Sequence, residues 1–150
     1  MVNDLQLSDQ VISFGSAMFN LTVFAGSTQL ARISWKMGHR NVTGLGVILA
    51  SFYPILMAFS HDVGLYMITS FVGGVAWSLV GGALYNYLAD KVPDNDRPAH
   101  MAWYNLGLNA AILIGSLVGP LVADQIGLTT ALILFGVVRL FSGIAILVWG

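Results

Sequence analysis

The residues able to do chemistry in this chain are the few polar groups that fall inside long apolar runs. Arg139 stands near the middle of LTTALILFGVVRLFSGIAILVW, and Asn20, Asn105 and Asn109 lie within two other apolar stretches. A cation at the centre of a membrane span costs about 2.5–3.5 kcal/mol on insertion scales, so it must be accommodated. Snorkelling or a backbone-carbonyl partner is the structural way to do so; an intramembrane charge with a function is the other. Asparagines at such depth need a neighbouring helix or water in a cavity. The chemistry of catalysis is missing. All seven acids are Asp, placed in connectors or at helix ends, with no carboxylate pair inside a span. His39, His61 and His100 lie near loops without ligand-like spacing, so no metal site is expected. No nucleophile stands beside a base, and no phosphate-cradling glycine loop with its lysine occurs. These absences argue against an enzyme and against a cofactor.

The elements that must position these groups are membrane spans. The chain has 150 residues, is 57% hydrophobic and 9% charged, and its mean hydropathy is +0.79. Soluble domains carry about a quarter charged residues. A net charge of −1 gives no support to a nucleic-acid partner. The chain lacks cysteine, which rules out a disulfide framework, and residues 1–10 have no signal-peptide pattern. Five runs are long enough to cross a hydrocarbon core of roughly 30 Å as helices: about 11–31, 42–59, 63–89, 101–123 and 128–149. The expected fold is therefore an all-α membrane protein of five transmembrane helices in a single domain, with the lipid bilayer as its solvent.

The connectors hold nearly all the charge. Arg32, Lys36 and Arg40 crowd RISWKMGHR, and Lys91 and Arg97 lie in the other connector on the same side. The opposite side has no Lys or Arg. By the positive-inside rule this places the N-terminus outside and the C-terminus in the cytoplasm, in a plasma or inner membrane. The acids of residues 90–100 are solvated and could pair with the first basic connector.

Within the spans, small residues repeat. Ser70, Gly74, Ser78, Gly82 and Asn86 recur every four positions in the third span, with Gly73, Trp77, Gly81 and Tyr85 beside them. Such stripes let helix backbones approach closely in lipid; alternatively, Trp77 and Tyr85 project over glycines into a solute cavity. The fourth span repeats the device with Gly107, Ala111, Gly115 and Gly119, and carries Asn105, Asn109 and Ser116 on another face. The second span, plain in its middle, is expected to face lipid. Pro54 is expected to kink or end it, and Gly119-Pro120 to break or bend the fourth.

These residues resemble the major facilitator superfamily (MFS). The connector after the first span is similar to its cytoplasmic loop, roughly G-x-x-x-D-x-x-G-R-R. Gly38 and Arg40 match, while Ala31, Trp35 and His39 depart, so the acid of that loop's charge lock is missing. Gly115-x-x-x-Gly119-Pro120 looks like the family's G-x-x-x-G-P, two helices further on. The resemblance implies five of the six helices of one half of a twelve-helix transporter. The degenerate loop and the absence of Arg from the third span favour the C-terminal half lacking its first helix, with the N-terminal half as partner.

What the resemblance implies is transport of a small solute, of unknown identity, by alternating access. Asn20, Trp77, Tyr85, Asn105 and Asn109 are the cavity candidates, and Arg139 would lie on a peripheral helix. The competing expectation is a non-transporting five-helix subunit or scaffold. A membrane enzyme would need catalytic groups from a partner.

Overall fold

The computed structural model describes residues 9–60 and 62–150. Its helices are α1 (Asp9–Met37), α2 (His39–Ala58), α3 (Val63–Lys91), α4 (Arg97–Ile126) and α5 (Leu128–Trp149), and no strand occurs among the described residues. At 1.5 Å per residue even α2, with 20 residues, spans about 30 Å. All five are long and apolar enough to cross a bilayer. The protein is a multi-pass integral membrane protein.

The connectors are shorter than the composition suggests. The basic segment 32–41 is helical except at Gly38, because Arg, Ile, Trp, Lys and Met offer the helix no break. Gly38 reverses the chain alone, with φ 79° and ψ 149°, a backbone region essentially confined to glycine. Segment 124–127 shrinks in the same way to Gly127, at φ 83° and ψ 148°. Neither proline ends its helix: α2 runs past Pro54 to Ala58 and α4 past Pro120 to Ile126. The Asp62 carboxylate accepts from Leu65 N at 2.8 Å and caps α3. The acids of 90–100 do not reach the first basic segment. Asp94 pairs instead with Arg97 at 2.7 Å, and Arg97 also donates to the Ala89 carbonyl at 2.9 Å, tying α4 to the end of α3.

Packing centres on α2. It runs antiparallel to both α3 and α5 and lies between them. Small residues make this possible: a Cβ on Gly46 would lie 2.9 Å from a Val80 methyl, and one on Gly143 would lie 2.8 Å from Ile48 N. One on Gly136 would lie 3.1 Å from Ser51 O. Val42, Thr43, Gly44, Gly46, Ala50, Ser51 and Ala58 are buried on α2. The second span is therefore packed on two sides rather than chiefly facing lipid as the sequence suggested, with only a strip through Leu45 and Phe52 left exposed. Its plain middle reflects two helix neighbours, which need small side chains rather than polar ones. α1 packs parallel to α3, with Gly26 against Ser78 and Gly74 against Thr22. The four-residue stripe of α3 is thus its contact with α1.

α4 is different. It has no buried residue, and space is open beside Gly107, Gly115 and Gly119. Among the described residues no helix packs closely on its ladder of small residues, although Phe135 of α5 flanks Ala111, Gly115 and Gly119 across a cavity.

An internal repeat accounts for that asymmetry. A helix of 29 residues, one glycine and a helix of 20 form the first hairpin; 30 residues, one glycine and 22 form the second. Both glycines share nearly the same torsions. In the register that superposes Gly38 on Gly127, Asn20 falls on Asn109, Gly26 on Gly115 and Ser27 on Ser116. The asparagines also make the same bond, each Nδ2 donating to the carbonyl four residues earlier. α2 meets α5 across the repeat, and within each hairpin the two helices touch little. α3 covers the first hairpin, and among the described residues nothing covers the second in the equivalent way.

Two glycine substitutions separate torsion from space. Gly127→Ala should lower thermal stability of the solubilised protein by about 1–3 kcal/mol, the cost of a residue held in so sparse a region. Gly81→Ala, in open space on a helix, should be neutral or stabilising by up to about 1 kcal/mol. Thermal unfolding in detergent measures both.

Candidate functional site

Two adjoining cavities open where α1, α2 and α3 meet. One, of about 210 Å³, is lined by Gly15, Ser16, Phe19, Asn20, Tyr53, Tyr66 and Ser70. The other, of about 230 Å³, is lined by Phe19, Ala50, Tyr53, Gly73, Trp77 and Arg139. Phe19 and Tyr53 belong to both, and their rings meet edge to face with centroids 6.4 Å apart. Glycines create the room: the Tyr53 ring lies over Gly73 and the Tyr66 ring over Gly15. A side chain at either position would displace its tyrosine.

The first cavity is the polar one. Asn20 Nδ2 donates to Ser16 O at 2.8 Å, which leaves the amide oxygen as an acceptor. The Tyr66 hydroxyl points toward Ile12 O at 3.5 Å, too long to occupy it firmly. The second cavity is aromatic and carries one cation. Arg139 joins this cavity from α5, and Ala50 and Gly73 are the small residues of its lining. Asn20, Ala50, Trp77 and Arg139 all fall near the middle of their helices.

The sequence candidates divide into two groups. Asn20 and Trp77 line the adjoining cavities together with Arg139. Tyr85, Asn105 and Asn109 lie elsewhere, since eight residues along α3 separate Tyr85 from Trp77 by about 12 Å. There the Tyr85 hydroxyl donates to Asn105 Oδ1 at 3.4 Å, and the Tyr85 and Tyr104 rings pack edge to face at 5.6 Å. Asn109 Nδ2 bonds back to Asn105 O at 2.7 Å. This group bridges α3 to α4 and faces outward. Phe19 and Tyr66 were not legible as lining residues, although Tyr66 extends the four-residue stripe of α3 by one step. Tyr53 stood on a helix expected to face lipid.

The basic segment also divides. Arg32 and Lys36 are exposed on the last turns of α1. Arg40 turns inward: its Nε donates to Ile146 O at 3.2 Å and its Nη2 to Leu147 O. Ile146 O also accepts from Gly150 N at 3.1 Å, so Arg40 shares that carbonyl and adds a partner at Leu147 O in the last turn of α5.

Five apolar helices joined by tight turns, two of them single glycines, describe a multi-helix membrane protein. The profile of the Major Facilitator Superfamily matches residues 1–150, and the chain belongs to that family. That family is of a non-enzyme kind. Among curated proteins the chain is similar to the quinolone resistance protein NorA of Staphylococcus aureus, strains MRSA252 and COL, at 21% identity over 123 residues in each case. The match covers 82% of this chain and 32% of NorA, so the chain spans about a third of the relatives it matches. No solved structure matches.

The geometry separates two roles inside the loop motif. Arg40→Ala should destabilise the protein by about 1.5–3 kcal/mol, the range for hydrogen bonds made by a charged group. Arg32→Ala, on the exposed face, should stay within about 0.5 kcal/mol. Thermal melts of the two variants in the same detergent test this directly.

Proposed function

We propose that this chain forms part of a secondary transporter that moves a small organic solute across the membrane by alternating access. The observation that carries this reading is the pair of adjoining cavities lined from four helices, one at the helix centres beside Trp77 and Arg139, the other running from Asn20 and Tyr53 toward the helix ends at Gly15 and Tyr66. Transporters of this class bind their solute near the bilayer midplane, between bundles that rock about the site. The similarity to NorA, a quinolone resistance protein, fits an organic solute.

On this reading the five helices belong to one six-helix half, the C-terminal one, and the other half is the partner that closes the cleft. The internal repeat supports a sixth helix. The counterpart of α3 would cover the second hairpin and lie against Gly107, Gly115 and Gly119, as α3 lies against Gly26. Five of the six basic residues are carried by segments at one end of the helices, which by the positive-inside rule supports a cytoplasmic C-terminus with the N-terminal end of α1 outside. Tyr85, Asn105 and Asn109 would line the path at the inner mouth rather than the midplane site. None of the acids lies in the middle of a span, so a proton-coupling group, if used, lies outside these helices.

Transport by the full-length protein in proteoliposomes tests the proposal. Asn20→Ala and Trp77→Ala should each reduce initial rates by about ten-fold or more, the loss of one good contact. Phe71→Ala, on a face exposed to lipid, should leave them unchanged. Unaltered rates in both site variants would contradict the site, and a full-length protein that moves no solute would favour a scaffold. Asp90→Asn and Asp124→Asn should retain any proton dependence of the rate.

A further inference from the structure

The six basic residues are not alike. Five are held by the ends of helices or the segments between them, where water and lipid headgroups can solvate them. Arg139 cannot reach that environment. It stands ten or more residues from either end of α5, about 15 Å along the axis. Snorkelling over such a distance exceeds the length of the side chain. The backbone-carbonyl alternative is not realised either: among the described residues the Arg139 guanidinium makes no hydrogen bond and no ion pair. Arg40 on the neighbouring helix shows what a satisfied guanidinium looks like in this protein, with two carbonyls held. Arg139 instead ends in a cavity walled by Phe19, Tyr53 and Trp77, with Ala50 and Gly73 keeping it open. A guanidinium cannot shed its proton to escape this setting, because its pKa lies far above neutrality. It needs an anion.

We propose that the Arg139 cavity is the binding site for the carboxylate of an aromatic organic acid, with the ring lying between Phe19, Tyr53 and Trp77. The planar fork of the guanidinium matches a carboxylate in two parallel hydrogen bonds. The aromatic walls match a flat apolar body, and the adjoining polar cavity offers the Asn20 amide oxygen and the Tyr66 hydroxyl to substituents on it. Neither cavity alone reaches the size at which small-molecule sites begin, about 300 Å³, but the two together exceed it. Sequence reading placed Arg139 on a peripheral helix with a structural role; the structure turns it inward, toward α1, α2 and α3. The inference rests on reading the cleft as a solute site and names the class of solute it takes.

Calorimetric titration of the full-length protein in nanodiscs with naphthoate and with its neutral analogue naphthamide tests the proposal. Wild type should bind naphthoate at least ten-fold more tightly than naphthamide. Arg139→Gln should abolish that preference, weakening naphthoate by about 10- to 150-fold, as expected for a charged hydrogen-bond partner, and leaving naphthamide unchanged. Arg139→Lys should retain part of it. Equal affinity of wild type for the two probes would overturn the proposal, the guanidinium then being neutralised by an acid from the rest of the protein. Equal loss of both probes in Arg139→Gln would overturn it as well, by making Arg139 a structural residue. Should that variant fail to fold, the wild-type preference and its response to Arg139→Lys decide the matter. Arg139-dependent binding in a protein that transports nothing would leave the site standing and remove the transport reading.

Discussion

Close backbone approach is the constraint on which this structure depends. Lipid tails are as apolar as Leu, so helices in a bilayer gain nothing by hiding apolar surface from one another; van der Waals contact decides. α2 obtains it on two sides at once, through Gly46 against α3 and through Gly44, Gly136 and Gly143 at the crossing with α5. A larger side chain at any of these places would push a helix away. The crossing with α5 also fixes where Arg139 points, and the crossing with α3 fixes where Tyr53 lies. Both walls of the cleft are thus consequences of the same packing.

The repeat extends this logic to α4. α1 and α4 are equivalent in length, in the glycine that follows them and in the asparagine that bonds back along the helix. They differ in cover. α1 has α3 against Gly26, whereas Gly115, its counterpart, faces open space. The two helices therefore share a pattern and differ in the cover that the described residues give them.

Much of the architecture was legible because membrane spans are set by apolar length, and the charges that punctuate them are few. The helices α3 and α5 and the superfamily could be read in this way. What could not be read was which helix covers which. A plain middle on α2 is the same signal whether the neighbour is lipid or protein, and only the density of Gly, Ala and Ser distinguished the two. The extent of the turns was also hidden, since RISWKM carries charge without any helix-breaking residue. Trp77 and Asn20 were recognisable as polar or aromatic groups on small-residue faces. Phe19 and Tyr66 were not, because an aromatic residue in an apolar helix has no pattern of its own. Arg139 was visible as an anomaly, and its direction required the helix crossing angle that no sequence period encodes.

The most direct test of a midplane cleft that opens alternately is the side from which its residues can be reached. These 150 residues contain no cysteine, so a single cysteine at position 20 is a clean reporter in a full-length protein freed of cysteines elsewhere. Labelling of Asn20→Cys by a membrane-impermeant thiol reagent would be followed in right-side-out and inverted vesicles, with and without solute. Alternating access predicts labelling from both sides, with solute shifting the ratio of the two rates. Labelling from neither side, or from one side alone whatever solute is present, would contradict it.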